Sequence, residues 1–268
     1  MSLKEDRKQW EEHARRCELP SSVELEEDKI ANVPTLWIHS KCKPASRTII
    51  YAHGGGLISG STITHRKFAA DLALATQSSF LLIGYRLLPE HAFPAPLEDI
   101  LTVYRELTEK RPENILLAGD SSGAGLALAA LIQLRDSGES LPAGAFFLSG
   151  AFDMTLSGKT MVSNNGKDPL MNLASLKQWQ QRYFDNTASP LLSPLYGDLS
   201  ELPPVLLLAG GKELWLSDSQ RLAEKLEAAG SNVSLRIWDS MTHVWAMNPD
   251  LEESNEAIRE IGRFVSNF

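Results

Sequence analysis

With 268 residues, 43 % of them hydrophobic and 22 % charged, the chain has material for one substantial core, and a single domain over 1–268 is expected. A formal net charge of −8 argues against nucleic acid or an anionic membrane as partner, and no apolar run approaches the ~20 residues of a membrane span. The amino terminus lacks the apolar segment of a secretory signal, Cys17 and Cys42 allow at most one bridge, and the six histidines show no metal-ligand spacing, so a cytoplasmic protein without a metal is expected.

In chain order, residues 1–20 read as a charged, partly amphipathic helix carrying Leu3, Trp10 and Ala14, with Pro20 after its end. Val23-Glu24-Leu25 alternates with period two, as an edge strand does, and Leu36-Trp37-Ile38 is a second strand. Thr48-Ile49-Ile50-Tyr51-Ala52 is apolar without alternation, the pattern of a central strand. It runs straight into His53-Gly54-Gly55-Gly56-Leu57-Ile58-Ser59-Gly60. The spacing matches neither phosphate-binding glycine motif. Three residues without Cβ instead let backbone N–H groups approach a substrate oxygen, so Gly54, Gly55 and Gly56 are candidate oxyanion donors. His53 is read as bonding the loop backbone, not as a general base.

A helix is expected over 65–76, a buried strand over 79–84 and a helix over 97–110. The Pro-punctuated loop between them holds Arg86 and Glu90, which with Glu98 and Asp99 are expected to form a buried ion-pair brace. The apolar run 115–118 then leads into Gly119-Asp120-Ser121-Ser122-Gly123, and a helical pattern follows from 126 to 134. A Gly-x-Ser-x-Gly between a buried strand and a helix is a sharp turn that lifts a serine hydroxyl clear of the sheet edge. The N-terminal N–H groups of the helix, that of Ser122 among them, point where negative charge would develop. The same string imitates the Gly-Asp-Ser-Gly of trypsin-like proteases, but those are all-β, and the helix after Ser121 does not fit them.

Ala145-Phe146-Phe147-Leu148 is a further strand, and residues 155–192 then break the alternation of strand and helix. They are turn-rich through Ser163-Asn164-Asn165-Gly166-Lys167-Asp168-Pro169 and then helical with Trp179, Tyr183 and Phe184. An insertion at the carboxyl end of a strand is placed to be a lid, with residues 1–20 as a second lid element. The strand 205–209 resumes the sheet and leads to Gly210-Gly211-Lys212-Glu213. A helix over 217–229, a last strand over 232–238, a loop Met241-Thr242-His243-Val244-Trp245 and an amphipathic helix over 251–267 complete the chain. Strands alternating with helices mean an α/β fold, a mostly parallel sheet with helices on both faces.

Ser121, Glu213 and His243 each fall just past the carboxyl end of a strand, the edge where open α/β sheets bind ligands. A serine hydroxyl needs a base to take its proton, and the base needs a carboxylate to fix its tautomer. Two carboxylates compete for that last role. Ser217-Asp218-Ser219-Gln220 reads as a capping box, which gives Asp218 a structural reason to exist, so Glu213 is the preferred acid.

In His53-Gly54-Gly55-Gly56, Tyr85-Arg86-Leu87-Leu88-Pro89-Glu90-His91-Ala92-Phe93-Pro94, Gly119-Asp120-Ser121-Ser122-Gly123, Leu192-Ser193-Pro194-Leu195-Tyr196 and His243-Val244-Trp245, the chain resembles the hormone-sensitive-lipase-like branch of the α/β-hydrolase esterases. The resemblance runs from about residue 34 to the end. It departs from the family in Ser122, where Ala is commoner, in Glu213, where many relatives carry Asp, and in a shorter amino-terminal region. The resemblance implies a serine carboxylesterase acting on small, short- to medium-chain esters without a cofactor. An amidase or lactonase on the same triad is the alternative. A non-catalytic receptor of this fold would commonly lack the histidine that stands at position 243. Because no strand follows 232–238, a homodimer through that edge is expected, set against a monomer whose edge Arg236 and Asp239 protect.

Overall fold

Eight strands form one sheet in the order β1-β2-β4-β3-β5-β6-β7-β8, seen in a computed structural model that describes residues 2–41, 45–110 and 114–268. β1 (Val23–Ile30) and β2 (Val33–Ser40) make an antiparallel hairpin, and β2 also runs antiparallel to β4 (Ser79–Ile83). The other pairings are parallel and join β3 (Thr48–Ala52), β4, β5 (Ile115–Asp120), β6 (Gly144–Leu148), β7 (Val205–Gly210) and β8 (Val233–Trp238). Every residue of β3 to β7 is buried, which is why these strands read as continuous apolar runs.

Successive residues of the central strands feed opposite faces. Ile50, Leu117, Phe147 and Leu207 pack with α3 (Ala95–Lys110), α4 (Ser121–Asp136) and α7 (Leu216–Ala228). Ile49, Leu116, Phe146 and Leu206 pack with α2 (Thr62–Thr76) and α8 (Glu252–Val265). The remaining helices, α1 (Leu3–Arg16), α5 (Thr160–Ser163) and α6 (Leu173–Tyr183), belong to the two segments expected to act as lids. Both β1 and β8 are edges. No helix among the described residues is long and apolar enough to cross a membrane.

Several expectations are corrected locally. The first hairpin is longer than its sequence signal, because Ala31 and Asn32 turn it with φ of 48° and 69° where a glycine would usually stand. α2 starts at Thr62, since Ser61 accepts from the N–H groups of Ile63 and Thr64 in a capping box. The ion-pair brace is split. Arg86, itself partly exposed, pairs with Asp99 at 2.8 Å and Glu98 at 3.2 Å, whereas Glu90 pairs with Arg7 of α1 at 2.8 Å. Cys17 is an exposed free thiol, and Cys42 lies outside the described residues.

Candidate active site

The site is assembled from loops that leave the carboxyl ends of β3, β5, β7 and β8. Ser121 follows β5 directly and carries a φ of 51°, a left-handed backbone that a non-glycine residue holds only where its surroundings force it. The flanking glycines let that turn sit tight against β3. A Cβ on Gly119 would come within 2.7 Å of the Ala52 carbonyl, and one on Gly123 would collide with the carbonyls of Ala52 and His53. The tight packing of β5, α4 and β3 therefore needs both.

His243 Nε2 lies 2.9 Å from Ser121 Oγ, and His243 Nδ1 lies 3.1 Å from Glu213 Oε2. Glu213 is fully buried, and its Oε1 accepts the Gly210 N–H at 2.9 Å, so the backbone of its own loop fixes the carboxylate. With Glu213 accepting at Nδ1–H, Nε2 is free to take the serine proton.

Asp218 is elsewhere. α7 starts at Leu216, and the expected capping box does not form: Asp218 turns inward and accepts the N–H groups of Phe152 and Asp153 at 3.0 and 2.8 Å. It also meets Arg221 at 2.8 Å, while burial pushes its carboxyl up to about 7. Ser217 instead meets Thr160 Oγ1 at 2.7 Å.

The glycine loop separates into two parts. The Gly54 N–H donates to Asp120 Oδ1 at 2.9 Å, so it is not available to a substrate oxygen. Gly55 and Gly56, with φ of 121° and 64°, line the cavity beside Ser121 and Ser122, and their N–H groups donate to no acceptor among the described residues. Ser122 stands in the first turn of α4, where N–H groups have no intrahelical acceptor. His53 does bond the loop backbone: burial and the neighbouring His65 push its imidazole down to about 3, and neutral Nδ1–H donates to Gly54 O at 2.8 Å.

Asp120 was not singled out by sequence reasoning, although its place before Ser121 was the signal. Burial opposes its charge, but His65, Tyr51 and the Gly54 N–H outweigh burial and hold the carboxyl below the usual range. One side chain thus joins the nucleophile strand to the glycine loop. No cluster of three or more metal-ligating side chains occurs among the described residues.

Above Ser121 and His243 lies a cavity of about 430 Å³, mostly apolar. Both expected lid elements reach it, α1 with Trp10 and the 155–192 segment with Leu170, Met171, Leu176 and Trp179. The arrangement offers a nucleophile with an adjacent base, an oriented acid, and free N–H donors at one point of a cleft with mostly apolar walls, which is the equipment for acyl transfer.

The chain is similar to known proteins. The family described as alpha/beta hydrolase fold matches residues 49–247. An acetyl-hydrolase of Streptomyces hygroscopicus is 39 % identical over 224 residues, which is 82 % of this chain and 75 % of that protein. An esterase of Acinetobacter venetianus is 34 % identical over 84 % of this chain and 76 % of its own length. Among solved structures, an esterase from the bacterial hormone-sensitive lipase family superposes with a TM-score of 0.95 at 38 % identity, covering all of this chain and 92 % of that one. The esterase EstE5, soaked with p-nitrophenyl butyrate, gives 0.93 at 35 % identity over 100 % of this chain and 91 % of its own.

Proposed function

The chain belongs to the α/β-hydrolase family and is a carboxylic ester hydrolase of the hormone-sensitive-lipase type, and on that premise we propose that it cleaves short- to medium-chain esters through a Ser121–His243–Glu213 triad and an acyl-enzyme. The observation that carries the reading is the contact of one buried imidazole with both Ser121 Oγ and Glu213 Oε2, at 2.9 and 3.1 Å.

In the proposed sequence, Ser121 Oγ attacks the ester carbonyl as His243 Nε2 takes its proton. The tetrahedral oxyanion is held by the N–H groups of Gly55, Gly56 and Ser122, worth roughly 10²–10³-fold in rate for a single such donor. Glu213 stabilises the imidazolium, which then gives its proton to the departing alkoxide. Water, deprotonated by His243, attacks the acyl-enzyme and releases the acid and Ser121 Oγ–H.

A cavity of about 430 Å³ lies near the small end of ligand sites and suits acyl chains of about two to eight carbons. The soaking of EstE5 with p-nitrophenyl butyrate supports an ester of that size as a first substrate. The test is a panel of p-nitrophenyl esters graded by acyl length, with an anilide and a lactone alongside. We expect the highest kcat/KM within that range of acyl length and far slower anilide and lactone cleavage. Faster hydrolysis of emulsified long-chain triglyceride, or of the anilide or lactone, would overturn this reading.

A further inference from the structure

The first part of the 155–192 segment is polar and turn-rich in sequence. In the structure, Asn164 and Asp168 are buried, and each grips the backbone of a different catalytic loop. Asn164 Nδ2 donates to the carbonyls of Gly211 and Glu213 at 3.0 and 2.9 Å, holding the loop that carries the acid. Asp168 Oδ2 accepts the backbone N–H of His243 at 2.7 Å, holding the loop that carries the base. From α6, Trp179 Nε1 donates to the carbonyl of Gly56 at 2.9 Å, at the exit of the glycine loop.

That third contact completes a series along the glycine loop. A peptide N–H points opposite to the carbonyl of the same planar unit, so holding one fixes the other. His53 Nδ1 holds the Gly54 carbonyl and thereby aims the Gly55 N–H. The N–H and hydroxyl of Ser59 hold the Gly55 carbonyl at 3.0 and 2.9 Å and aim the Gly56 N–H. Trp179 holds the Gly56 carbonyl, whose peptide partner is the Leu57 N–H, so it aims no oxyanion donor itself but fixes the far side of Gly56, a glycine whose φ of 64° no Cβ restrains. The first two clamps come from the glycine loop itself, and the last comes from the lid.

We propose that the 155–192 segment is a positioning device as well as a cover: Asn164, Asp168 and Trp179 lock the acid loop, the base loop and the oxyanion loop into one geometry. None of the three takes a proton or touches the reacting atoms in this account. They act through the residues they hold, so their loss degrades turnover more than binding. The inference rests on the triad reading, and its test separates the two.

The parent enzyme is first treated with a fluorophosphonate and Ser121 labelling is read by mass spectrometry. Then kcat and KM are measured for p-nitrophenyl acetate and p-nitrophenyl hexanoate in Asp168→Ala, Asp168→Asn and Trp179→Phe. We expect Asp168→Ala to lower kcat by about 10- to 100-fold for both esters, with the KM for acetate within about two-fold of the parent. Asp168→Asn, which keeps one oxygen to accept the His243 N–H but loses the acceptor of the Leu170 N–H, recovers part of that loss. Trp179→Phe, which keeps an aromatic ring and loses only the donor, lowers kcat by about five- to ten-fold for both esters. Should Asp168→Ala fail to fold, Trp179→Phe decides the question. An unchanged kcat in Trp179→Phe, with a KM that rises with acyl length, would show a mere cavity wall and overturn the proposal. An unlabelled Ser121 in the parent would instead overturn the triad reading beneath it.

Discussion

Glu213 and Asp218 stand five positions apart, and their surroundings differ. Glu213 touches His243 and its own loop backbone, whereas Asp218 bonds the N–H groups after β6 and pairs with Arg221. Replacing Glu213 with Gln removes the acceptor that fixes the His243 tautomer, and kcat falls by about 10²–10⁴-fold with the fold intact. Asp218→Asn leaves kcat within about a few-fold of the parent, as steady-state kinetics on the two variants would show. Reversed outcomes would make Asp218 the acid.

The same residue predicts a pH effect on stability. A carboxyl raised to about 7 by folding contributes fully below its unfolded value near ~4, and the contribution is lost as pH climbs to about 7. His53 works the other way: its imidazole is pushed down to about 3, so stability is lost as pH falls below the unfolded value near ~6.5. In the parent the two oppose each other between pH 5 and 7. Asp218→Asn removes the carboxyl's opposing contribution, so Tm drops more steeply from pH 7 to pH 5 than in the parent. Thermal unfolding at the two pH values checks this, and an equal or shallower drop would contradict it.

At the scale of elements, what could be read in advance was what depends on neighbours in sequence. Central strands such as Thr48–Ala52 are apolar throughout because both faces are covered, and that pattern is local. The turn at Ala31 and Asn32 was not legible, since neither residue is the glycine that marks such turns. Nor could spacing tell which glycine N–H Asp120 takes, because that partner comes from a different strand. Ser121 and Glu213, which the fold brings within hydrogen-bond distance of His243, could be singled out with it from their order along the chain, while Asn164 and Asp168 were hidden in a polar run whose burial depends on distant loops.

The amino-terminal helix α1 makes an element-scale prediction. Arg7 donates to the carbonyls of Ile58 and Leu88, each at 2.6 Å, and pairs with Glu90, which fixes the helix beside the glycine loop. Trp10, one turn further on, forms part of the cavity wall. Arg7→Ala should therefore loosen that wall and raise KM for p-nitrophenyl hexanoate by about three- to ten-fold, with acetate little affected. Equal changes for both esters would separate α1 from acyl-chain binding.

For the whole molecule, the two sheet edges differ in how they are guarded. β1 exposes Leu25 at 36 %, but sets it among Glu24, Glu26, Glu27, Asp28 and Lys29, a charged row that resists pairing. β8 exposes only Arg236 and Ile237, the latter 38 % accessible. We propose a homodimer in which β8 strands of two copies pair, flanked by α8. Light scattering at micromolar concentration should give about twice the mass of one chain, and Ile237→Lys should return it to the monomer. A monomeric parent would contradict the proposal.

Every part of the catalytic account passes through the serine hydroxyl bonded to His243. The most direct measurement is mass spectrometry of the intact protein after brief reaction with a fluorophosphonate, followed by peptide mapping, in the parent, Ser121→Ala and Glu213→Gln. A single adduct on Ser121 is expected in the parent, none in Ser121→Ala, and labelling slowed by about 10²-fold or more in Glu213→Gln. A parent that stays unlabelled, an adduct on another residue, or labelling at the parent rate in Glu213→Gln would contradict the proposed triad.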